Sequence, residues 1–100
     1  MTVIRWTEQA VDDLEAIRGY VARDSEHYAA LLVERLIASL DSVVAFPEIG
    51  RIVPEYGRQD LRELVVGLYR VVYRLTNGHA ELLTVFHSAR LFPSAVDAAL

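Results

Sequence analysis

Residues 61–87 read LRELVVGLYRVVYRLTNGHAELLTVFH, and this stretch decides the fold. Its runs of Val, Leu, Tyr and Phe alternate with polar side chains at the period of two that is typical of β-strands. Gly67-Leu68 fits a type II′ turn, and Asn77-Gly78 is the strongest short hairpin signal. The stretch therefore predicts antiparallel strands at residues 61–66, 69–75 and 80–87.

The Asn-Gly turn also predicts how the last two strands pair. A two-residue turn there places Arg74 opposite Glu81 and Arg70 opposite Val85, with His87 diagonal to Arg70. The Arg74–Glu81 pair is most simply a cross-strand ion pair. The earlier turn, treated in the same way, places Val65 opposite Arg70 and Glu63 opposite Val72.

Strand alternation then assigns the side chains to two faces of the sheet. The first face is apolar, and we expect it to pack on helices: Leu64, Val66, Tyr69, Val71, Tyr73, Leu75, Leu82 and Phe86. The second face mixes charged and apolar side chains: Glu63, Val65, Arg70, Val72, Arg74, Glu81, Leu83, Val85 and His87. Because this second face is half apolar, we expect part of it to be covered.

Two side chains on the mixed face permit more than one interpretation. Arg70 lies among apolar neighbours, where a charge is costly without a partner. That partner is either Glu63 or an anion supplied by another molecule. His87, at a strand end, is either a hydrogen-bonded surface residue or a group that titrates or binds phosphate beside Arg70.

A helical hairpin precedes the strands. After a short β-like run at residues 3–6, Thr7 is a good N-cap for a helix over 8–22, and a second helix over 26–45 ends at Phe46-Pro47. The apolar spacing predicts these inner-face residues: Val11, Leu14, Ile17, Val21, Tyr28, Leu32, Leu36, Leu40, Val43 and Val44. The acids Asp12, Asp13 and Glu15 are expected on the solvated face.

The remaining segments are a loop and a tail. Residues 47–60 contain two prolines and two glycines and have no period, so we expect a long loop. Residues 95–100 predict a short helix, with Ser94 and Asp97 forming a capping box. The chain is thus predicted to be a single α+β domain over residues 1–100, a helical hairpin packed on a small antiparallel sheet in the order β-α-α-β-β-β.

Composition excludes several classes of function. The chain has 100 residues and no cysteine, so it has neither disulfides nor thiolate metal sites. All ten basic residues are arginine, and the net charge of −4 argues against strong non-specific nucleic-acid binding. The histidines lack metal-ligand spacing and no nucleotide-binding motif occurs, so we expect no metal and no cofactor. Without an apolar run long enough to span a membrane, we expect a cytoplasmic protein with no membrane partner.

The order and spacing of several short motifs resemble a known family. They are Trp6-Thr7…Ala10…Asp13-Leu14…Ile17…Tyr20, Phe46-Pro47…Gly50-Arg51…Pro54-Glu55, Arg62-Glu63-Leu64, Tyr69-Arg70-Val71-Val72-Tyr73 and Val85-Phe86-His87-Ser88-Ala89-Arg90. Together they resemble the ParE/RelE superfamily of toxins from type II toxin–antitoxin modules, and the ParE branch most closely. The resemblance covers about residues 3–93.

The resemblance implies a toxin held inactive by a ParD-like antitoxin in a hetero-oligomeric complex. ParE-like members poison DNA gyrase, whereas RelE-like members cleave mRNA on the ribosome without a metal. In the second case Arg70 matches the motif arginine, and His87 and Arg90 are the candidates for acid–base catalysis and anion binding. This chain lacks lysine, has no tyrosine after Tyr73 and is acidic, all of which depart from the RelE pattern.

The candidate residues for binding an antitoxin or target form one set: Arg51, Arg58, Arg62, Glu63, Arg70, His87 and Arg90. The arginines offer bidentate sites for partner carboxylates. We expect Arg70→Ala to reduce toxicity or antitoxin affinity while the fold survives. We also expect an antitoxin segment to lay a helix along the helical hairpin and a strand or extended arm against the sheet.

Overall fold

The computed structural model describes residues 2–100 and has the predicted α+β architecture. Its elements are β1 (Val3–Trp6), α1 (Glu8–Ala22), α2 (Glu26–Ala45), β2 (Arg51–Ile52), β3 (Leu61–Val66), β4 (Tyr69–Thr76), β5 (His79–His87) and α3 (Ala95–Ala99). Both long helices have the predicted bounds, and the three later strands differ from prediction by one residue at most. No helix within residues 2–100 has the length and apolar character needed to cross a bilayer.

Each long helix begins at a side-chain cap. The Thr7 hydroxyl accepts a hydrogen bond from the Ala10 amide at 3.2 Å, and the Ser25 hydroxyl accepts one from the Tyr28 amide at 3.1 Å. The predicted inner faces are wrong at one position each. Val11 and Tyr28 are 40% and 53% exposed, and their neighbours Ala10 and Ala29 are buried instead. The buried stripe therefore begins at Ala10 and Ala29, and Leu14 and Leu32 continue it as predicted.

The five strands form one sheet in the order β1-β5-β4-β3-β2. The antiparallel meander of β3, β4 and β5 is confirmed. The first strand, which has no local pairing signal, runs parallel to β5 and makes the sheet mixed. Within the predicted loop over residues 47–60, Arg51 and Ile52 pair with β3 as the two-residue β2.

The predicted register is confirmed for β3–β4 and for the turn-proximal half of β4–β5. Val65 pairs with Arg70, and Arg74 pairs with Glu81. Farther from the turn, the β4–β5 prediction is wrong by one residue. Tyr73 pairs with Leu82 but Val72 pairs with Thr84, so Leu83 is an extra residue in a β-bulge.

The bulge reverses the predicted faces of the last residues of β5. Arg70 pairs with Phe86 instead of Val85, and His87 pairs with Tyr69. Val85 consequently packs against the helices, while Phe86 lies on the face that carries Arg70. The prediction that His87 lies diagonal to Arg70 is therefore wrong, since the two side chains lie on opposite faces of the sheet.

A side chain of α1 supports the bulge. The carboxylate of Asp13 accepts hydrogen bonds from the Thr84 hydroxyl and, at 3.2 Å, from the Val85 amide. Asp13 is thus half-buried against the sheet, and its predicted place on the solvated face is wrong. Thr84 is fully buried, so this carboxylate provides the hydrogen-bond partner that its hydroxyl requires.

The sheet separates two hydrophobic cores. The helical side contains Ala10, Leu14, Leu32, Leu36, Leu40, Val71, Leu82 and Val85. The opposite side contains Val53, Leu61, Val72, Leu83, Phe86 and Val96, with Tyr56 and Phe92 packed against them. The loop before β3 and the C-terminal segment therefore supply the cover expected over the mixed face.

The short C-terminal helix forms without the predicted capping box. The Ser94 side chain makes no capping hydrogen bond. The Asp97 carboxylate instead accepts a hydrogen bond from the Tyr56 hydroxyl, and the Arg74 guanidinium donates to the Ala99 carbonyl at 3.0 Å. These contacts to other segments, together with buried Val96, hold α3 on the sheet.

Candidate functional site

Arg70 lies at the centre of the mixed face. It pairs with Val65 on β3 and with Phe86 on β5, and its side chain is only 10% exposed. A guanidinium in such apolar surroundings is stable only with partners that replace its lost hydration. The structure supplies those partners from two separate segments.

The two partners of Arg70 are carboxylates. Its Nε donates to Glu63 Oε1 at 2.6 Å, which confirms one of the two interpretations open from the sequence. Its two terminal nitrogens donate to the two oxygens of Glu55, each at 2.7 Å. The second interaction is the bidentate geometry in which arginine binds carboxylates most strongly.

Arg51 extends this pair into a chain of four charges. The Glu63 side chain is fully buried, and its second oxygen accepts a hydrogen bond from Arg51 Nε at 2.6 Å. The resulting Arg51–Glu63–Arg70–Glu55 network joins the loop over residues 47–60 to β2, β3 and β4. Its two positive and two negative charges cancel, so it presents no net charge to a ligand.

The bidentate pair of Arg70 and Glu55 favours the charged form of both groups. The hydrogen bonds from Arg70 hold the pKa of Glu55 below its ordinary value of 4.5. In turn, the Glu55 carboxylate raises the pKa of the Arg70 guanidinium. Arg70 therefore lacks the properties of a proton donor, since its charge is fixed by two carboxylates.

Aromatic rings complete the enclosure of Arg70. Its guanidinium carbon lies 5.1 Å from the ring centre of Phe86 and 5.2 Å from that of Phe92, both within cation–π range. Tyr56 packs edge-on against Phe92 at 5.3 Å. Burial and the hydrogen bond to Asp97 raise the pKa of Tyr56 to about 12.

Two further candidate arginines are also engaged within the chain. Arg58 forms a bidentate pair with Asp60 at 3.0 and 2.8 Å on the surface. The Arg62 guanidinium donates to the carbonyls of Glu48, Gln59 and Gly50 and so holds the loop before β3. Neither joins the network of Arg70.

His87 and Arg90 lie together, apart from Arg70. Both line a groove on the helical side of the sheet, with Tyr20 of α1 and Tyr69 of β4. The ring of His87 packs edge-on against Tyr69, with centroids 5.4 Å apart. Of the seven candidate residues, the structure thus unites Arg51, Glu63 and Arg70 in one cluster and His87 with Arg90 in another, while Arg58 and Arg62 stand alone.

Two features of these clusters were not predicted from the sequence. They are the contact of Glu55 with Arg70 and the part of α1 that lines the groove of His87 and Arg90. Glu55 lies in a loop without period, so its approach to Arg70 had no pattern to indicate it, although an arginine among apolar residues requires carboxylates. The contribution of α1 to the groove was not predicted because a β-bulge turns His87 toward that helix. The alternation of apolar and polar residues in the sequence does not reveal such a bulge. Within residues 2–100, no group of three His, Asp or Glu side chains is arranged to hold a metal ion.

Comparison with known proteins finds a matching family model and two similar proteins, all of them described as toxins. The family model described as the ParE toxin of the type II toxin–antitoxin system parDE matches residues 4–92. Toxin RelE2 of Caulobacter vibrioides is 36% identical over 92 residues, which cover 91% of this chain and all of that protein. Putative toxin Y4kP of Sinorhizobium fredii is 33% identical over 96 residues, with 93% and 95% covered.

Solved structures share the architecture at lower identity. A chain of the chromosomal ParDE system from P. aeruginosa superposes with a TM-score of 0.70 at 20% identity, over 87% of this chain and 96% of that one. A chain of the RelBE2 toxin–antitoxin complex from Mycobacterium tuberculosis gives 0.60 at 21% identity, over 89% and 93%. At these identities the likeness concerns the fold alone.

Proposed function

The chain belongs to the ParE/RelE family of toxins from type II toxin–antitoxin systems, and from this premise we propose that it arrests growth by inhibiting DNA gyrase. In this proposal it acts by binding, without catalysing a reaction of its own. A ParD-like antitoxin neutralises it in a hetero-oligomeric complex.

The state of Arg70 is the observation that supports a non-enzymatic mode. Metal-free RNA cleavage needs a base, an acid and cations converging on one phosphate. Here Arg70 is neutralised by Glu55 and Glu63, and the sheet separates it from His87 and Arg90. The candidate catalytic residues do not converge, and the net charge of −4 disfavours a polyanionic substrate.

A ribosome-dependent endoribonuclease is the second candidate. The specific observation in its favour is that His87 and Arg90 line one groove, where a histidine and a cation would suit acid–base chemistry at a phosphate. The relative from Caulobacter also carries the name RelE2. This candidate requires the two residues to act without Arg70.

The surface of the helical hairpin supports a protein partner. Several large apolar side chains on α1 and α2 are at least 40% exposed: Val11, Tyr20, Tyr28, Leu31 and Ile37. These exposed apolar side chains are candidates for burial by a partner. We assign this surface to the antitoxin, which would bury it with an amphipathic helix.

Expression of the chain with and without its neighbouring reading frame tests the proposal. We expect growth arrest, induction of the SOS response and gyrase–DNA cleavage complexes when the toxin is expressed alone, and none of these when the neighbouring protein is co-expressed. Primer extension on cellular mRNA provides the competing readout. Cleavage at ribosomal A-site codons without SOS induction would favour the endoribonuclease.

A further inference from the structure

A groove runs between α1 and the end of the sheet where β4 begins and β5 ends. Its volume is about 520 Å³, within the range of sites that hold a ligand side chain or small molecule. Asp13, Ile17 and Tyr20 line it from the helix, Tyr69 and His87 line it from the sheet, and Arg90 lines it from the segment after β5.

The walls of the groove are largely apolar. Ile17 and Tyr69 pack against the core of the helical side, while Tyr20 remains 69% exposed. Such a groove suits an apolar anchor from a partner, provided that a polar group beside the anchor finds its own contact.

The turn after β5 positions two hydrogen-bond donors at the groove. The Ser88 amide donates to the Leu68 carbonyl at 2.8 Å, and the Arg90 amide donates to the His87 carbonyl at 3.0 Å. The Ala89 amide donates to His87 Nδ1 at 3.0 Å, which assigns the ring proton to Nε2. The Nε2–H group of His87 and the guanidinium of Arg90 are thus both donors.

Among the candidate arginines within residues 2–100, Arg90 is the one whose guanidinium has no partner at all, whereas Arg51 uses only its Nε and is 58% exposed. Arg51 and Arg70 are engaged by Glu63, Arg58 is engaged by Asp60, and Arg62 is engaged by backbone carbonyls. Among residues 2–100, the guanidinium of Arg90 makes no hydrogen bond or ion pair. An unpaired arginine beside an apolar groove is complementary to a carboxylate.

The surrounding charge favours one carboxylate over a nucleic-acid backbone. The helix that forms one wall carries Asp12, Asp13 and Glu15. Asp13 also lines the groove, but its carboxylate is already engaged by the Thr84 hydroxyl and the Val85 amide. The acids of α1 therefore disfavour a chain of phosphates more than a single carboxylate held between Arg90 and His87. The apolar walls also fit a peptide better than a sugar–phosphate chain.

We propose that this groove is the anchoring site for an acidic residue of the antitoxin, an Asp or Glu that pairs with Arg90 and His87 while an adjacent apolar side chain contacts Ile17, Tyr20 and Tyr69. The inference rests on the proposed function, because the occupant is the antitoxin. It identifies Arg90, and not the arginines of the Arg70 network, as the cation that the antitoxin recognises.

Binding of the purified toxin to the protein encoded beside it tests this assignment by calorimetry. Arg90→Glu should raise the dissociation constant about 30-fold or more, since it removes one partner of a desolvated charge pair and adds repulsion. Arg5→Glu changes the net charge equally at an exposed position of β1 outside the groove and should have little effect. Tyr20→Ser alters only an exposed side chain and should weaken binding through the apolar wall.

Reversal of one antitoxin carboxylate to Arg should restore affinity for the Arg90→Glu toxin. Equal losses from Arg90→Glu and Arg5→Glu would overturn the site, because the effect would then come from overall charge. Unchanged antitoxin affinity combined with lost ribosome binding would overturn it in favour of phosphate recognition. No binding by the wild-type toxin would instead refute the antitoxin proposal itself, and with it this occupant.

Discussion

Arg70 lies in one of the motifs on which the resemblance to the toxin family rests. Its contacts within the chain nevertheless indicate a role in stabilising the fold. It is enclosed by two phenylalanine rings and neutralised by Glu63 and Glu55. The expectation from sequence that Arg70→Ala leaves the fold intact therefore needs revision. Truncation would leave Glu63 fully buried with only the half-exposed Arg51 as a partner.

We predict that Arg70→Ala lowers the free energy of unfolding by about 3 kcal/mol, the cost of leaving a buried charge without its partner. Urea denaturation followed by circular dichroism measures this change. Arg58→Ala is the control, because its pair with Asp60 is exposed to solvent and should contribute little to stability. Equal, small effects of the two substitutions would show that the network contributes little to stability.

Because of Glu55, the stability that the network contributes depends on pH. Its pKa is lower in the folded protein than its ordinary value of 4.5, so the stability it contributes is complete above that value and is lost as the pH falls through the folded pKa. We predict that Glu55→Gln reduces stability at pH 7 and flattens the loss of stability below about pH 4.5. Thermal melting of both proteins from pH 7 to pH 3 measures this, and parallel pH profiles would contradict it.

At the scale of the elements, turn residues correctly predicted the pairing of the strand residues next to them. Pairing farther from the turn, or between distant segments, was not predicted. The Asn77-Gly78 turn determined the pairing of Arg74 with Glu81, because a two-residue turn leaves only one register for its neighbours. Counting from that turn failed beyond Tyr73, since Leu83 is an extra residue that hydrophobic alternation does not reveal. The position of β1 was also beyond prediction, because its partner lies more than 70 residues away in the sequence.

The contacts of Asp13 at the bulge predict that this residue stabilises the fold. Its carboxylate accepts hydrogen bonds from the Thr84 hydroxyl and from the Val85 amide, which directly follow the extra residue Leu83. We predict that Asp13→Ala lowers the free energy of unfolding by about 1–3 kcal/mol, because buried Thr84 then lacks its acceptor. The matched control is Asp12→Ala on the exposed side of the same helix, and equal effects in urea denaturation would contradict this role.

At the scale of the molecule, the sheet divides the candidate residues into a structural set and an exposed set. The family was predictable from the order and spacing of the short motifs. The α+β fold was predictable from the periodicity of the apolar residues and from the turn residues. The division itself was not, because it depends on the bulge and on Glu55 in an aperiodic loop. The Arg70 side is closed by the chain's own C-terminal segment, so our proposal assigns recognition to the helical side and the groove of Arg90.

This division predicts how antitoxin affinity responds to salt. If apolar contacts along the hairpin dominate, with Arg90 as one charged anchor, affinity should fall only modestly between low and physiological salt. The buried area should exceed about 1,600 Å² in total. Calorimetry at several salt concentrations measures the response, and a collapse of affinity over that range would indicate a mainly electrostatic complex.

The most direct test of the central claim is a reaction of the purified toxin with DNA gyrase and supercoiled plasmid. The account predicts toxin-dependent cleavage complexes, visible as linear DNA after protein digestion, and their loss when the antitoxin is added in equal amount. Parallel reactions with translating ribosomes should leave mRNA intact. Unaffected gyrase together with mRNA cut in the ribosomal A-site would contradict the account.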